Sequence, residues 1–146
     1  MRFWDTSAVV PLLLRQPATP AIESVFRDDP VPALWWGCAV ECASALARES
    51  RLGDLTREQS LTALALLKVL REGAIEVRPS DEVRARSMRL LGIHPLRAAD
   101  ALQLAAALVW CRQRTGSAGF VSLDDRLRAA AEREGFDVLP RSDSRG

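Results

Sequence analysis

Residues 3–10 read FWDTSAVV. Two bulky apolar residues, Phe3 and Trp4, give way to an acid and two hydroxyls, Asp5, Thr6 and Ser7, before the apolar run resumes at Ala8. Arg2 to Asp5 therefore reads as a short buried strand. Asp, Thr and Ser are residues that cap the start of a helix, because their oxygens accept from its unpaired first N–H groups. A helix is expected over residues 7–14, with Pro11 in about its first turn, where a missing N–H is tolerated. A strand that ends on a carboxylate and turns directly into a helix opens a βα unit.

The rest of the chain repeats that alternation. Helices are expected over residues 20–28 and 37–51, on either side of a strand at 33–36, with Gly53 as a stop. Thr56 followed by Gln59 is a capping-box pattern, and Leu61, Leu64, Leu67 and Leu70 then recur at helical spacing up to Gly73. A strand is expected at 75–78, followed by a helix capped by Ser80 that runs to Leu91. A long helix is expected from the His94-Pro95 entry through Arg114. A strand at 120–123, a helix at 125–134 and a strand at 136–139 follow, with Gly135 turning between the last two. This order predicts an α/β fold of three layers, α/β/α, around a mostly parallel five-stranded sheet. At 146 residues one domain is expected, over 1–140, with a polar, frayed tail at 141–146.

The net charge of +1 excludes a broad basic field, so any nucleic-acid contact must come from local patches. Lys68 is the only lysine among the basic residues. The arginine bias reads either as base composition of the gene or as a preference for the side chain that forks onto phosphate. No apolar run reaches the roughly 20 residues of a membrane span, and the N-terminus lacks signal-peptide character. A cytoplasmic protein without membrane contact is expected. Three cysteines argue against a disulfide framework, and Cys38 and Cys42, four apart on one helix, read as small core residues. Trp35, Trp36 and Trp110 also read as core.

In an open parallel sheet, ligands bind beyond the C-terminal ends of the strands. Asp5 follows the first strand, Glu41 lies early in the helix after the second, Asp100 lies early in the long helix, and Asp124 and Asp125 follow the fourth strand. Each acid also has a plain reading as a cap or a first-turn residue facing the helix dipole. Asp100 resists that reading. Its helix continues ALQLAAALVW, apolar all round and so expected to be buried, and an isolated buried carboxylate costs several kcal/mol. Several such acids together would raise one another's pKa, a penalty that a divalent cation removes. Oxygen donors without a His or Cys cluster select Mg2+ or Mn2+. His94, the sole histidine, is read as a turn residue.

The stretches FWDTSAVV, AVECASALAR around Glu41, LRAADALQLAAAL around Asp100 and FVSLDDRLRAAAEREGF around Asp124 together resemble PIN-domain ribonucleases of the VapC toxin type. The resemblance runs from Arg2 to about Leu139. It implies an acidic catalytic cluster at Asp5, Glu41, Asp100 and Asp124, with Asp5, Asp100 and Asp124 on the metal. Supporting hydroxyls are implied at Thr6, Ser7 and Ser122, where the family often has Thr in place of Ser122. It also implies Mg2+- or Mn2+-dependent hydrolysis of RNA, a small cognate antitoxin that covers the site, and a homodimer. The surfaces near residues 7–14 and 37–70 are candidates for those contacts. Arg48, on one stripe with Ser44 and Glu41, and Arg97, one turn before Asp100, are expected to grip phosphates. Arg84, Arg86 and Arg89 are further candidates.

Other phosphate-handling readings fit less well. A receiver domain needs a Lys late in the sheet, and Lys68 is mid-helix. A dehalogenase-type site needs an acid where Ser7 stands. Neither a Walker nor a dinucleotide glycine motif is present. Nor is the G-x-S-x-G of an esterase-type nucleophile elbow. The remaining rival is a PIN-like module that binds RNA or protein without cutting.

Overall fold

The structure, a computed structural model, describes residues 1–142. The elements are β1 (Arg2–Trp4), α1 (Thr6–Leu13), α2 (Thr19–Asp28), β2 (Ala33–Trp35), α3 (Cys38–Arg51) and α4 (Arg57–Glu72). They continue with β3 (Ile75–Val77), α5 (Asp81–Leu91), α6 (Ala98–Trp110), β4 (Gly119–Val121), α7 (Asp125–Arg133) and β5 (Asp137–Leu139). The five strands lie in the order β3-β2-β1-β4-β5, and every pairing is parallel.

Strand periodicity divides the core into two layers. Phe3, Ala33, Trp35 and Phe120 point to one face, where Leu90 of α5, Leu104 and Leu108 of α6, and Leu127 of α7 cover them. Trp4, Leu34 and Val121 point to the other, under Val9 of α1, Ile22 of α2, Cys42 and Leu46 of α3, and Leu67 of α4. Alternate residues of each strand thus serve opposite layers, as the two-residue period of a strand requires. Because both faces are covered, the central strands β2 and β4, and β1 beyond Arg2, read as continuous apolar runs, whereas the edge strands β3 and β5 carry Glu76 and Asp137. Cys38 and Cys42 are core residues with free thiols, as expected. Both hydrogen bonds of the Thr56–Gln59 capping box are present, and Ser80 caps α5 through Val83 N–H. Gly135 has φ of 99°, and a Cβ there would meet Thr115 Oγ1 at 2.5 Å, so the turn into β5 requires glycine.

Four expectations need correction. Helix α6 begins at Ala98 and ends at Trp110, not at His94-Pro95 and Arg114. Arg97 is extended at the N-cap, and Arg112 and Gln113 take positive φ, of 51° and 63°, which a helix cannot continue through. A short 3-10 turn, Thr115–Ser117, then leads to β4. Pro11 lies in the second turn of α1, leaving that eight-residue helix short of an internal bond. Trp35 is buried but Trp36 is half exposed, because the strand ends between them. Finally, Ala98 and Ala99 are exposed and Asp100 is only half-buried, since α6 enters the core one residue later, at Ala101. Of the tail expected at 141–146, residues 143–146 lie outside the described residues. No described helix is long and apolar enough to cross a membrane.

Candidate functional site

The strand order reverses direction on either side of β1, so the connections after β1 and β4 part and leave a crevice between them. A cleft of about 1040 Å³ opens there. Asp5, Glu41, Asp100 and Asp124 all line it, with Thr6, Ser7 and Asp125. Arg48, Ser44 and Arg97 line it too, as does Arg126. Four distant segments therefore bring the four acids to one place.

Asp5 is the deeply placed acid, at 4% exposure. Its backbone N–H still follows the sheet, donating to Val121 C=O at 3.0 Å. Its carboxylate caps α1: Oδ1 accepts from Ser7 N–H at 2.7 Å. Oδ2 accepts from the Ser7 hydroxyl at 2.7 Å and from the Ser122 hydroxyl. Ser7 Oγ in turn accepts from Leu123 N–H at 2.8 Å, and Ser122 Oγ accepts from Asp124 N–H at 3.1 Å. Asp5, Ser7 and Ser122 thus tie the end of β1 to the end of β4. Arg128 braces the same corner by donating to the carbonyls of Ser122, Leu139 and Pro140. Asp124 is both a cap, accepting from Leu127 N–H at 2.9 Å, and a cleft residue.

Thr6 turns the other way. Its hydroxyl is 3.2 Å from Glu41 Oε2 and 3.4 Å from Cys38 Sγ. Gln103 of α6 completes this group, donating from Nε2 to Glu41 Oε2 at 2.8 Å and to Thr6 Oγ1 at 2.9 Å. Gln103 is not among the residues that the acidic pattern of the sequence points to. Its signal was present, as the lone amide in the apolar run of α6, one turn beyond Asp100. Arg126 was also missed, because a charge one residue past a double acid looks like an ordinary surface residue of a helix start.

Burial pushes the Asp5 carboxyl above its ordinary value; the Ser122 and Ser7 bonds oppose this, and the charge of Asp124 adds to it. Glu41 is raised by burial, opposed by Gln103 and Thr6 and reinforced by Asp5 and Asp100. Asp100 is raised by burial and by Asp124, against the Arg97 backbone and the charges of Arg97 and Arg126. None of the four acids has an arginine or lysine within ion-pair distance among the described residues. Arg84, Arg86 and Arg89 do not line the cleft; they pair with Asp81, Glu82 and Glu134. His94 is buried beside Glu134, with Nε2 at 3.1 Å from Oε1, and it too lies off the cleft.

A raised carboxyl is more readily protonated in the folded chain than in the unfolded one. Its stabilising contribution is complete below the unfolded carboxylate range, about pH 4, and is lost as pH rises through the raised folded value. Asp5→Asn removes that loss. In chelator at pH 7.5 the variant is expected to melt above wild type, with the gap narrowing as pH falls toward 4. A variant that melts lower at pH 7.5 would show that the Asp5 charge is well compensated without a cation.

The donor set is all oxygen, which suits a hard divalent ion. The acids do not form a closed cage: among the described residues, no group of three or more His, Cys, Asp or Glu side chains is placed to hold an ion together. The chain is similar in structure to one in the crystal structure of FitAcB from Neisseria gonorrhoeae, with a TM-score of 0.65, 15% sequence identity, and coverage of 94% of this chain and 96% of that one. No family model and no curated protein matches the sequence. The likeness together with the wholly parallel five-stranded sheet establishes a PIN-like fold.

Proposed function

We propose that this protein is a Mg2+- or Mn2+-dependent endoribonuclease, the toxin of a type II toxin–antitoxin pair. One observation supports the reading: four carboxylates from four segments line one cleft at the switch point of a PIN-like sheet, three of them raised, and none is ion-paired with an arginine or lysine among the described residues. When bound, a divalent ion would make a bound water a better nucleophile and offset charge on the scissile phosphate. Asp5 and Asp100 would hold it directly. Asp124 and Glu41 would hold a second ion or orient water. Ser7 and Ser122 fix the Asp5 carboxylate, and Thr6 serves Glu41. By resemblance to the family, the products would carry a 5′-phosphate and a 3′-hydroxyl.

Arg48, Arg97 and Arg126 rim the acids and would take the flanking phosphates of a single strand. Arg48→Glu is expected to weaken RNA binding roughly tenfold and to flatten its salt dependence by about one phosphate contact. Filter binding across a salt series checks this, and an unchanged slope would place Arg48 outside the RNA path. A small antitoxin would cover the site and reach the apolar groove between α1, α2 and α4, where Leu13, Phe26, Leu66 and Leu70 line about 310 Å³. A homodimer is part of the same proposal.

The lack of a closed cage favours a second reading, a PIN-like module that binds RNA or protein without cutting. Purified protein incubated with end-labelled single-stranded RNA separates the two. Cleavage in Mg2+ that stops in chelator supports the nuclease; RNA retention without cleavage in Mg2+ or Mn2+ supports the module.

A further inference from the structure

Gln103 stands, at 1% exposure, in a stretch of α6 that is buried all round, with Ala101, Leu104, Ala105 and Ala107. A leucine there would fill the space without a polar atom. Gln103 instead leaves its own Oε1 buried with no partner among the described residues. An unpartnered buried carbonyl oxygen destabilises a core, so what the amide contributes here comes from its Nε2. That nitrogen donates to Glu41 Oε2 and Thr6 Oγ1. Turning the amide over would bring Oε1 against Glu41 Oε2 and take Nε2 away from both of its acceptors.

Thr6 and Gln103 both act on the same oxygen, Glu41 Oε2. Glu41 lines the cleft, and no hydrogen bond from the described residues reaches its Oε1. We propose that Gln103 is a positioning residue that, with Thr6, pins Glu41 Oε2 so that Glu41 Oε1 is presented to a divalent cation or its water. This rests on the metal-dependent reading above. Helix α6 then does two things at once: it carries Asp100 and, one turn on, fixes the acid of α3, setting the register of one ligand segment against another. Gln103 itself is buried away from any substrate.

The test is Mn2+ affinity, by titration calorimetry on the full chain, for wild type, Gln103→Leu, Glu41→Gln and the double variant. Groups that orient metal ligands contribute about 10- to 100-fold in affinity. Gln103→Leu is expected to weaken Mn2+ binding by about tenfold or more without lowering the melting temperature, and to have no further effect once Glu41→Gln is present. On RNA it should lower kcat and leave KM unchanged. Gln103→Met serves if the leucine variant does not fold. Wild-type affinity in both Gln103 variants, or an equal loss in the Glu41→Gln background, overturns the assignment while Asp5-dependent binding still stands. If wild type binds no Mn2+, or Asp5→Asn binds it as well as wild type does, the metal-dependent reading fails and this inference with it.

Discussion

Asp5→Asn is expected to lower RNA cleavage by at least about a thousandfold, equivalent to several kcal/mol of lost transition-state stabilisation, while the fold survives. The hydrogen bonds explain the second half of that result. Asn retains an oxygen to accept from Ser7 N–H, so α1 keeps its cap. The Ser7 and Ser122 hydroxyls that now donate to Oδ2 can rotate to accept from an amide instead. Only the charge disappears, and the charge is what a cation needs and what the buried site otherwise tolerates poorly. A cleavage assay in Mg2+ read beside circular dichroism and a melt in chelator checks both halves. An Asn variant that cuts within tenfold of wild type would remove Asp5 from the chemistry.

The second large effect lies in the core that aims the site. Phe120 is fully buried, with ring centroids 5.8 Å from Phe3, in a stacked pair, and 5.4 Å from Phe136. Phe120→Ala should cost about 3–5 kcal/mol in urea unfolding, a large share of the roughly 5–15 kcal/mol by which a domain of this kind is stable. Two residues further on, Ser122 binds Asp5, so the cavity opens directly behind the corner joining β1 to β4. Cleavage by the folded fraction should fall as well. A cost under about 1 kcal/mol would mean that the aromatic stack is not packed against α6 and α7 as described.

Much of this architecture is legible along the chain because short apolar strands and capped amphipathic helices are local signals. FWDTSAVV gave β1, the Asp5 cap and α1, and the Thr56–Gln59 box gave the start of α4. The ends of α6 were not legible, because they depend on backbone angles at Arg97, Arg112 and Gln113 rather than on residue type. The depth of an acid was not legible either. The apolar stretch around Asp100 suggested burial, yet Asp5 is the deeper one, since β1 is the central strand and α6 enters the core only at Ala101. Position in the sheet, not local hydrophobicity, sets that difference. Gln103 shows the same limit: the sequence marks it as the lone amide in an apolar helix, but its role comes from a bond to Glu41, 62 residues away in sequence.

Whether Asp5, Asp100 and Asp124 gather on a shared divalent ion can be seen in crystals soaked in Mn2+, through its anomalous scattering. A peak in the cleft bonded to Asp5 and Asp100, and absent from crystals of Asp5→Asn, is the predicted result. Crystals with an empty cleft at millimolar Mn2+, or with the ion held only by surface acids elsewhere, would contradict it.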